Sequence, residues 1–87
     1  MWNVYVIRSL KDGFIYYGMS ENVSNRLKAH NRGKVRSTKA HRPFELVYSE
    51  PVGDRQVARE REKYFKSGAG RRFIKRLLKS NGGSPPA

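Results

Sequence analysis

Residues 2–18 read WNVYVIRSLKDGFIYYG, and the fold turns on this stretch. Trp2 to Leu10 is rich in β-branched and aromatic residues (Val4, Tyr5, Val6, Ile7), whose stiff side chains suit a pleated strand. Lys11-Asp12-Gly13 follows, and Asp-Gly accepts the positive φ of a tight hairpin turn. Phe14 to Gly18 then returns as a second strand. The pair predicts an antiparallel hairpin carrying Tyr5, Tyr16 and Tyr17. Side chains alternate between faces along a strand, so Tyr16 and Tyr17 fall on opposite sides of the sheet.

Working outward, Ser20 or Asn22 can cap a helix in which Val23, Leu27 and Asn31 share one stripe at i, i+4, i+8, and Gly33 stops it. Arg26 and His30 lie one turn apart on the flank of that stripe. Lys34 to Pro43 reads as a basic loop, closed by the extended Arg42-Pro43 step. Phe44 to Glu50 predicts a third strand with Leu46 and Tyr48 on one face. Pro51, Gly53 and Asp54 punctuate, and Asp54 is placed to cap a helix over Arg55 to Lys66 with Val57, Ala58 and Phe65 as its apolar side. Gly68 to Gly70 is expected to break that helix. A third begins near Arg71, where Phe73, Ile74, Leu77 and Leu78 recur at helical spacing. The order ββαβαα predicts an α+β fold, a three-stranded antiparallel or mixed sheet flanked by helices, as one domain over residues 1–80. Asn81 to Ala87 reads as a flexible tail.

A chain of 87 residues buries only about 60–65% of its unfolded surface, which allows one thin core. Hydrophobic residues at 37% and charged residues at 30% argue against disorder. Apolar runs are too short for a membrane span, and the start Met1-Trp2-Asn3-Val4 lacks the pattern of a signal peptide. Without cysteine there is no disulfide and no thiolate metal site. The expectation is a cytoplasmic protein.

Charge is more informative. Nineteen Lys and Arg face seven Asp and Glu, a net charge of +12 that opposes compaction unless a polyanion offsets it. Counterion release would make its affinity for DNA or RNA salt-sensitive. Asn22 to Phe44 holds Arg26, Lys28, Arg32, Lys34, Arg36, Lys39 and Arg42 with no acid. The plainer readings are an RNA-scaffold protein or a basic surface that only confers solubility. Glu62 fits neither, because it lies four residues after Ala58 and three before Phe65, beside the apolar face of its helix. Carboxylates are seldom placed there unless paired or bound to metal. An ion pair with a nearby Lys or Arg is the simpler alternative. Glu60 points elsewhere and should be solvated. Taken singly, a sheet tyrosine is more often core than catalyst, and Arg26 or His30 is more often a surface or packed residue.

The combination is more specific. Asn3-Val4-Tyr5, followed after a hairpin by Tyr16-Tyr17-Gly18, resembles the paired motif that names the GIY-YIG nuclease family. Arg26 falls eight residues past Gly18, where that family carries its helix arginine, and His30 matches a position held by His or Tyr. Arg61-Glu62-Lys63-Tyr64-Phe65-Lys66 resembles the segment with the family's metal-binding glutamate. The likeness extends over roughly residues 1–80 and is strongest to short stand-alone bacterial members, named after the excision-repair C subunit whose nuclease domain they share. Asn3 departs from the Gly of the first motif, Tyr17 from the Ile or Val of the second, and Met19 from a position that is often polar or basic.

The resemblance implies an endonuclease that hydrolyses nucleic-acid phosphodiesters, DNA foremost, with one Mg²⁺ or Mn²⁺ held by Glu62. In it Arg26 would grip the scissile phosphate, Tyr5 or Tyr16 would orient or deprotonate water, and His30 would relay the proton or fix a tyrosine. Gly18 would be the motif glycine. The acid count agrees with one ion, since Asp12, Glu21, Glu45, Glu50 and Asp54 all fall at turns, strand ends or loops. Lys28, Arg32, Lys34, Arg36, Lys39 and Arg42 are the candidates for holding the backbone. The alternative is a basic nucleic-acid-binding module of the same fold that does not cut. Relatives serve repair, restriction, mobility and recombination, so DNA repair is one expectation among these.

Overall fold

Trp2–Ser9 forms the central strand β1, flanked by Ile15–Ser20 (β2) and Phe44–Gly53 (β3) in the order β2-β1-β3, with both pairings antiparallel. The helices are Val23–Asn31 (α1), Arg55–Lys66 (α2) and Gly68–Leu77 (α3), with a 3₁₀ turn at Lys39–His41. This computed structural model describes residues 1–79, so the expected tail at 81–87 lies outside the described residues. The ββαβαα order stands, and the sheet is antiparallel throughout.

Val4, Tyr5, Val6 and Ile7 are each no more than 1% exposed. An antiparallel strand buried on both faces needs a packed layer on each side. Val4 and Val6 meet Ala58, Phe65 and Ile74 under α2 and α3, whereas Tyr5 and Ile7 meet Phe44, Val23 and Leu27 under α1. Tyr17 joins the first cluster and Tyr16 the second, as strand alternation requires.

Asn22 caps α1, its Oδ1 accepting from the Asn25 amide at 3.0 Å. At the other end, Asn31 fastens the helix to β3. Its Oδ1 accepts from the Phe44 amide at 2.6 Å and its Nδ2 donates to the Phe44 carbonyl at 3.2 Å. That clamp fixes the neighbouring His30. Asp54 caps α2 through the Val57 amide. The rotation of α2 is set by Arg61, whose Nε and Nη2 donate to the Glu50 carboxylate on β3 at 2.6 and 3.1 Å. Its guanidinium also lies over the Tyr64 and Phe65 rings at 4.7 and 4.8 Å.

Four details correct the sequence reading. Val57 is 42% exposed and forms no part of the buried side of α2. Strand β3 runs through Pro51, which an edge strand tolerates. The β1–β3 register shifts between Val6 and Ile7, so Tyr48 packs against the Phe65 cluster while Leu46 is 43% exposed. Gly68 to Gly70 does not break the helix but opens α3, capped by Ser67, whose side chain accepts from the Gly70 amide. Buried Gly70 lies so close to the Tyr64 carbonyl and the Phe65 backbone that no Cβ fits there. This glycine serves close packing rather than chain reversal.

Candidate active site

The site is built around Gly18. Tyr5 on β1 pairs directly with Gly18 on β2, and the Tyr5 ring lies across it. A Cβ at position 18 would stand 2.5 Å from the Tyr5 hydroxyl oxygen and 2.6 Å from Cζ, distances real side chains do not adopt. The absent side chain lets the phenol cross the edge strand toward α1. There the Tyr5 hydroxyl lies 2.8 Å from His30 Nε2, and His30 Nδ1 lies 2.8 Å from Thr38 Oγ1. Thr38 in turn donates to the Val35 carbonyl at 3.3 Å. Both His30 and Thr38 are fully buried.

One arrangement of protons satisfies all three bonds. A threonine hydroxyl has one hydrogen, and when it is given to Val35 the oxygen can only accept from His30. Nδ1 therefore carries the imidazole proton, Nε2 presents a lone pair, and Tyr5 donates to it. Two rings pack against the imidazole. Tyr16 meets His30 edge to face at 5.0 Å, and Phe44 does so at 6.0 Å.

Burial holds the His30 pKa down to about 4, and the positive charge of Arg26 acts in the same direction. The ring is neutral at physiological pH. Burial pushes the Tyr5 phenol up to about 12, opposed by a hydrogen bond from Arg26 and reinforced by Tyr16 and by Glu62. Tyr16 packs beside the Tyr5 ring on the α1 face, with ring centroids 6.4 Å apart, whereas Glu62 lies on α2, which covers the opposite face of the sheet. The two faces meet at the β2 edge, where Met19 follows Gly18.

Met19 also lines a groove of about 450 Å³ with Trp2, Arg55, Arg59, Glu62, Lys63 and Lys66. Glu62 is half-buried in it, and its carboxylate stands 3.5 Å from Lys66 Nζ, the simple ion pair that sequence allowed. Other acids are more tightly held. Asp12 pairs with His41 at 2.6 Å, Glu45 with Arg8 at 2.7 Å, Glu50 with Arg61, and Asp54 is a cap. Glu21 and Glu60 are exposed. Among the described residues no three His, Cys, Asp or Glu side chains gather as a metal cluster. A lone half-buried carboxylate beside open space suits a hard divalent ion completed by water and phosphate oxygens, not a cage of protein ligands.

Lys28, Arg32, Lys34, Arg36 and Lys39 are exposed along α1 and the loop after it. Arg42 is used differently, since its Nε donates to the Lys39 carbonyl and its guanidinium lies against Gly33. The loop is tied to the hairpin tip by Ser9, whose hydroxyl donates to the His41 carbonyl, by Lys11 Nζ on the Ala40 carbonyl, and by Asp12 on His41. Thr38, the residue that orients His30, escaped the sequence reading.

No helix among the described residues is long and apolar enough to cross a membrane. A family model described as the GIY-YIG catalytic domain matches residues 1–75. The chain is 38% identical over 79 residues to a UPF0213 protein of Pediococcus pentosaceus, covering 90% of this chain and 81% of that one. It is 38% identical over 63 residues to a UPF0213 protein of Bacillus licheniformis, where the match covers 71% of this chain and 65% of the relative. The match spans 56% of a UPF0213 protein of Desulfotalea psychrophila. The solution NMR structure of a UPF0213 protein from Bacillus halodurans superposes with a TM-score of 0.52 at 32% identity, covering 97% of this chain and 89% of that chain.

Proposed function

Because the chain belongs to the GIY-YIG family, with its nuclease-type fold, we propose that it is an endonuclease that hydrolyses nucleic-acid phosphodiesters, DNA foremost, with one divalent ion. The observation that carries this reading is the buried hydrogen-bonded chain Tyr5–His30–Thr38 laid across Gly18, with Glu62 half-buried in a groove at the β2 edge beside Met19. Glu62 would hold Mg²⁺ or Mn²⁺, and the bound ion supplies positive charge for the departing 3′ oxygen.

The remaining work belongs to the chain's own groups. Arg26 is exposed, so its planar fork is accessible to a phosphate and opposes the charge that develops there. Tyr5 is the better base than Tyr16 because its proton has somewhere to go. With a pKa near 12 it does not ionise beforehand. A water proton passes to the Tyr5 oxygen as the Tyr5 proton passes to His30 Nε2. Thr38 keeps Nδ1 protonated, so Nε2 stays the acceptor. Edge contacts from half-buried Tyr16 hold the imidazole in place. Positioned proton transfer of this kind contributes about 10²- to 10⁴-fold.

Met19 in the groove beside Glu62 favours a second reading, a binder of the same fold that does not cut, because a thioether offers phosphate no hydrogen bond. Magnesium-dependent nicking of labelled branched, single-stranded and duplex DNA separates the two. The wild-type chain should cut, and Glu62→Ala or Arg26→Ala should abolish cutting while the fold persists. Magnesium-dependent cutting by either variant removes the proposed mechanism, and binding without cutting by the wild type selects the second reading.

A further inference from the structure

The last twenty-five residues, Lys63 to Ala87, contain seven cations and no acid. Arg72, Lys75, Arg76 and Lys79 recur at i, i+3, i+4 and i+7, which places them along one face of α3 and just past its end. Together they concentrate positive charge on that face. Arg8, at the far end of β1, joins that face, and together with Leu78 these residues line a groove of about 820 Å³. Arg8 also pairs with Glu45 at 2.7 Å.

Beside it runs a second groove of about 450 Å³, sharing Lys75 and Leu78, whose walls are the apolar side chains of Phe14, Ile15, Tyr17 and Ile74. Phe14 is 38% exposed and stacked on His41 at 4.1 Å, so its ring is already held flat. A row of cations flanked by an aromatic-walled trough is the arrangement that takes sugar-phosphate on one side and unstacked bases on the other. We propose that this end of the molecule is a second nucleic-acid-binding site, selective for a single-stranded segment.

It is separate from the Glu62 groove. Trp2 lines that groove and Arg8 lines this one, and six residues of strand put them about 20 Å apart. The cation row from Arg72 to Lys79 spans about 10 Å, enough for two or three phosphates. One substrate can therefore be gripped at this site while another part of it lies at Glu62. The inference shares with the proposed function only the nucleic-acid partner and not the cutting.

The test is fluorescence anisotropy of a labelled single strand without divalent ion, which reads binding whether or not the protein cleaves. Replacing Arg72→Ala and Lys75→Ala together should reduce the slope of log affinity against log salt by about 1.4 and weaken binding about 25-fold at 0.1 M salt. Phe14→Ala should weaken the single strand about tenfold and leave a blunt duplex unchanged. The double variant should lose the same factor in a Glu62→Ala background. Unchanged affinity and salt slope in the double variant would overturn the site. Equal losses on duplex and single strand, with Phe14→Ala silent, would overturn its selectivity.

Discussion

Thr38→Val tests the proton assignment at the centre of the site. Valine keeps the shape of threonine but cannot accept from His30 Nδ1 or donate to the Val35 carbonyl. Two responses are open to the ring. If Nδ1 keeps its proton, a fully buried donor has no acceptor, which costs about 1–3 kcal/mol. If the proton moves to Nε2, the stability loss is smaller, but the Tyr5 hydroxyl then faces a donor and its own proton has no acceptor. Both responses are visible. Denaturant melts should show the first as a loss of about 1–3 kcal/mol, and long-range ¹H–¹⁵N spectra of the imidazole should show the second as an exchange of nitrogen shifts. In either case single-turnover cleavage should fall at least about tenfold, within the range of positioned proton transfer, while substrate affinity holds. Thr38→Ser restores the hydroxyl and should restore the rate. Wild-type spectra placing the proton on Nε2 would refute the assignment outright. So would a Thr38→Val protein with unaltered tautomer, stability and rate.

Gly18→Ala should be disproportionately harmful for one methyl group. The Tyr5 ring that must move is fully buried, so overpacking of about 1–3 kcal/mol is expected in urea melts together with loss of cleavage. An alanine variant of wild-type stability would show that the ring does not lie over position 18. His30 should also set a pH dependence. Its folded pKa of about 4 lies below its ordinary 6.5, so between these values the unfolded chain binds a proton that the folded chain refuses. Stability is then complete above pH 6.5 and declines as pH falls toward 4, by about 3 kcal/mol in all. Asp12, held down to about 2 mainly by its bond to His41, adds its own loss only nearer pH 4 and below. Melts at pH 7, 6 and 5 that coincide would contradict the neutral buried histidine.

What sequence exposed and what it hid divide along physical lines. The hairpin and the opposite faces of Tyr16 and Tyr17 were legible because alternation is a local property of the chain. The caps at Asn22 and Asp54 were legible for the same reason. Leu46 and the start of α3 were not. Their placement depends on a register shift against β1 and on the approach of Gly70 to the end of α2, and both are tertiary events. At the site, sequence left Tyr5 and Tyr16 equal, whereas the hydrogen bond to His30 is made by Tyr5. Thr38 could not be singled out because nothing near it in the chain marks it as buried. The basic face of α3 went unread, since the apolar residues Phe73, Ile74, Leu77 and Leu78 drew the reading of that helix.

Under the proposed mechanism the electrostatics of the site would couple its base to its substrate. A histidine held near 4 is a poor proton acceptor, and burial is the larger reason. The second reason, the charge of Arg26, is not fixed in the same way. Under the proposed mechanism the phosphodiester arrives on Arg26 and brings a negative charge to offset that guanidinium. Relief of one repulsion raises the basicity of His30, and through it the readiness of Tyr5 to take a proton from water, at the moment a phosphate is in place. Before then the pair holds its proton between two neutral groups and activates nothing. The same neutrality explains how a chain of net charge +12 keeps a histidine wholly buried one helical turn from an arginine. A charged imidazole there would have neither solvent nor counterion, and Thr38 and Tyr5 satisfy the neutral ring completely.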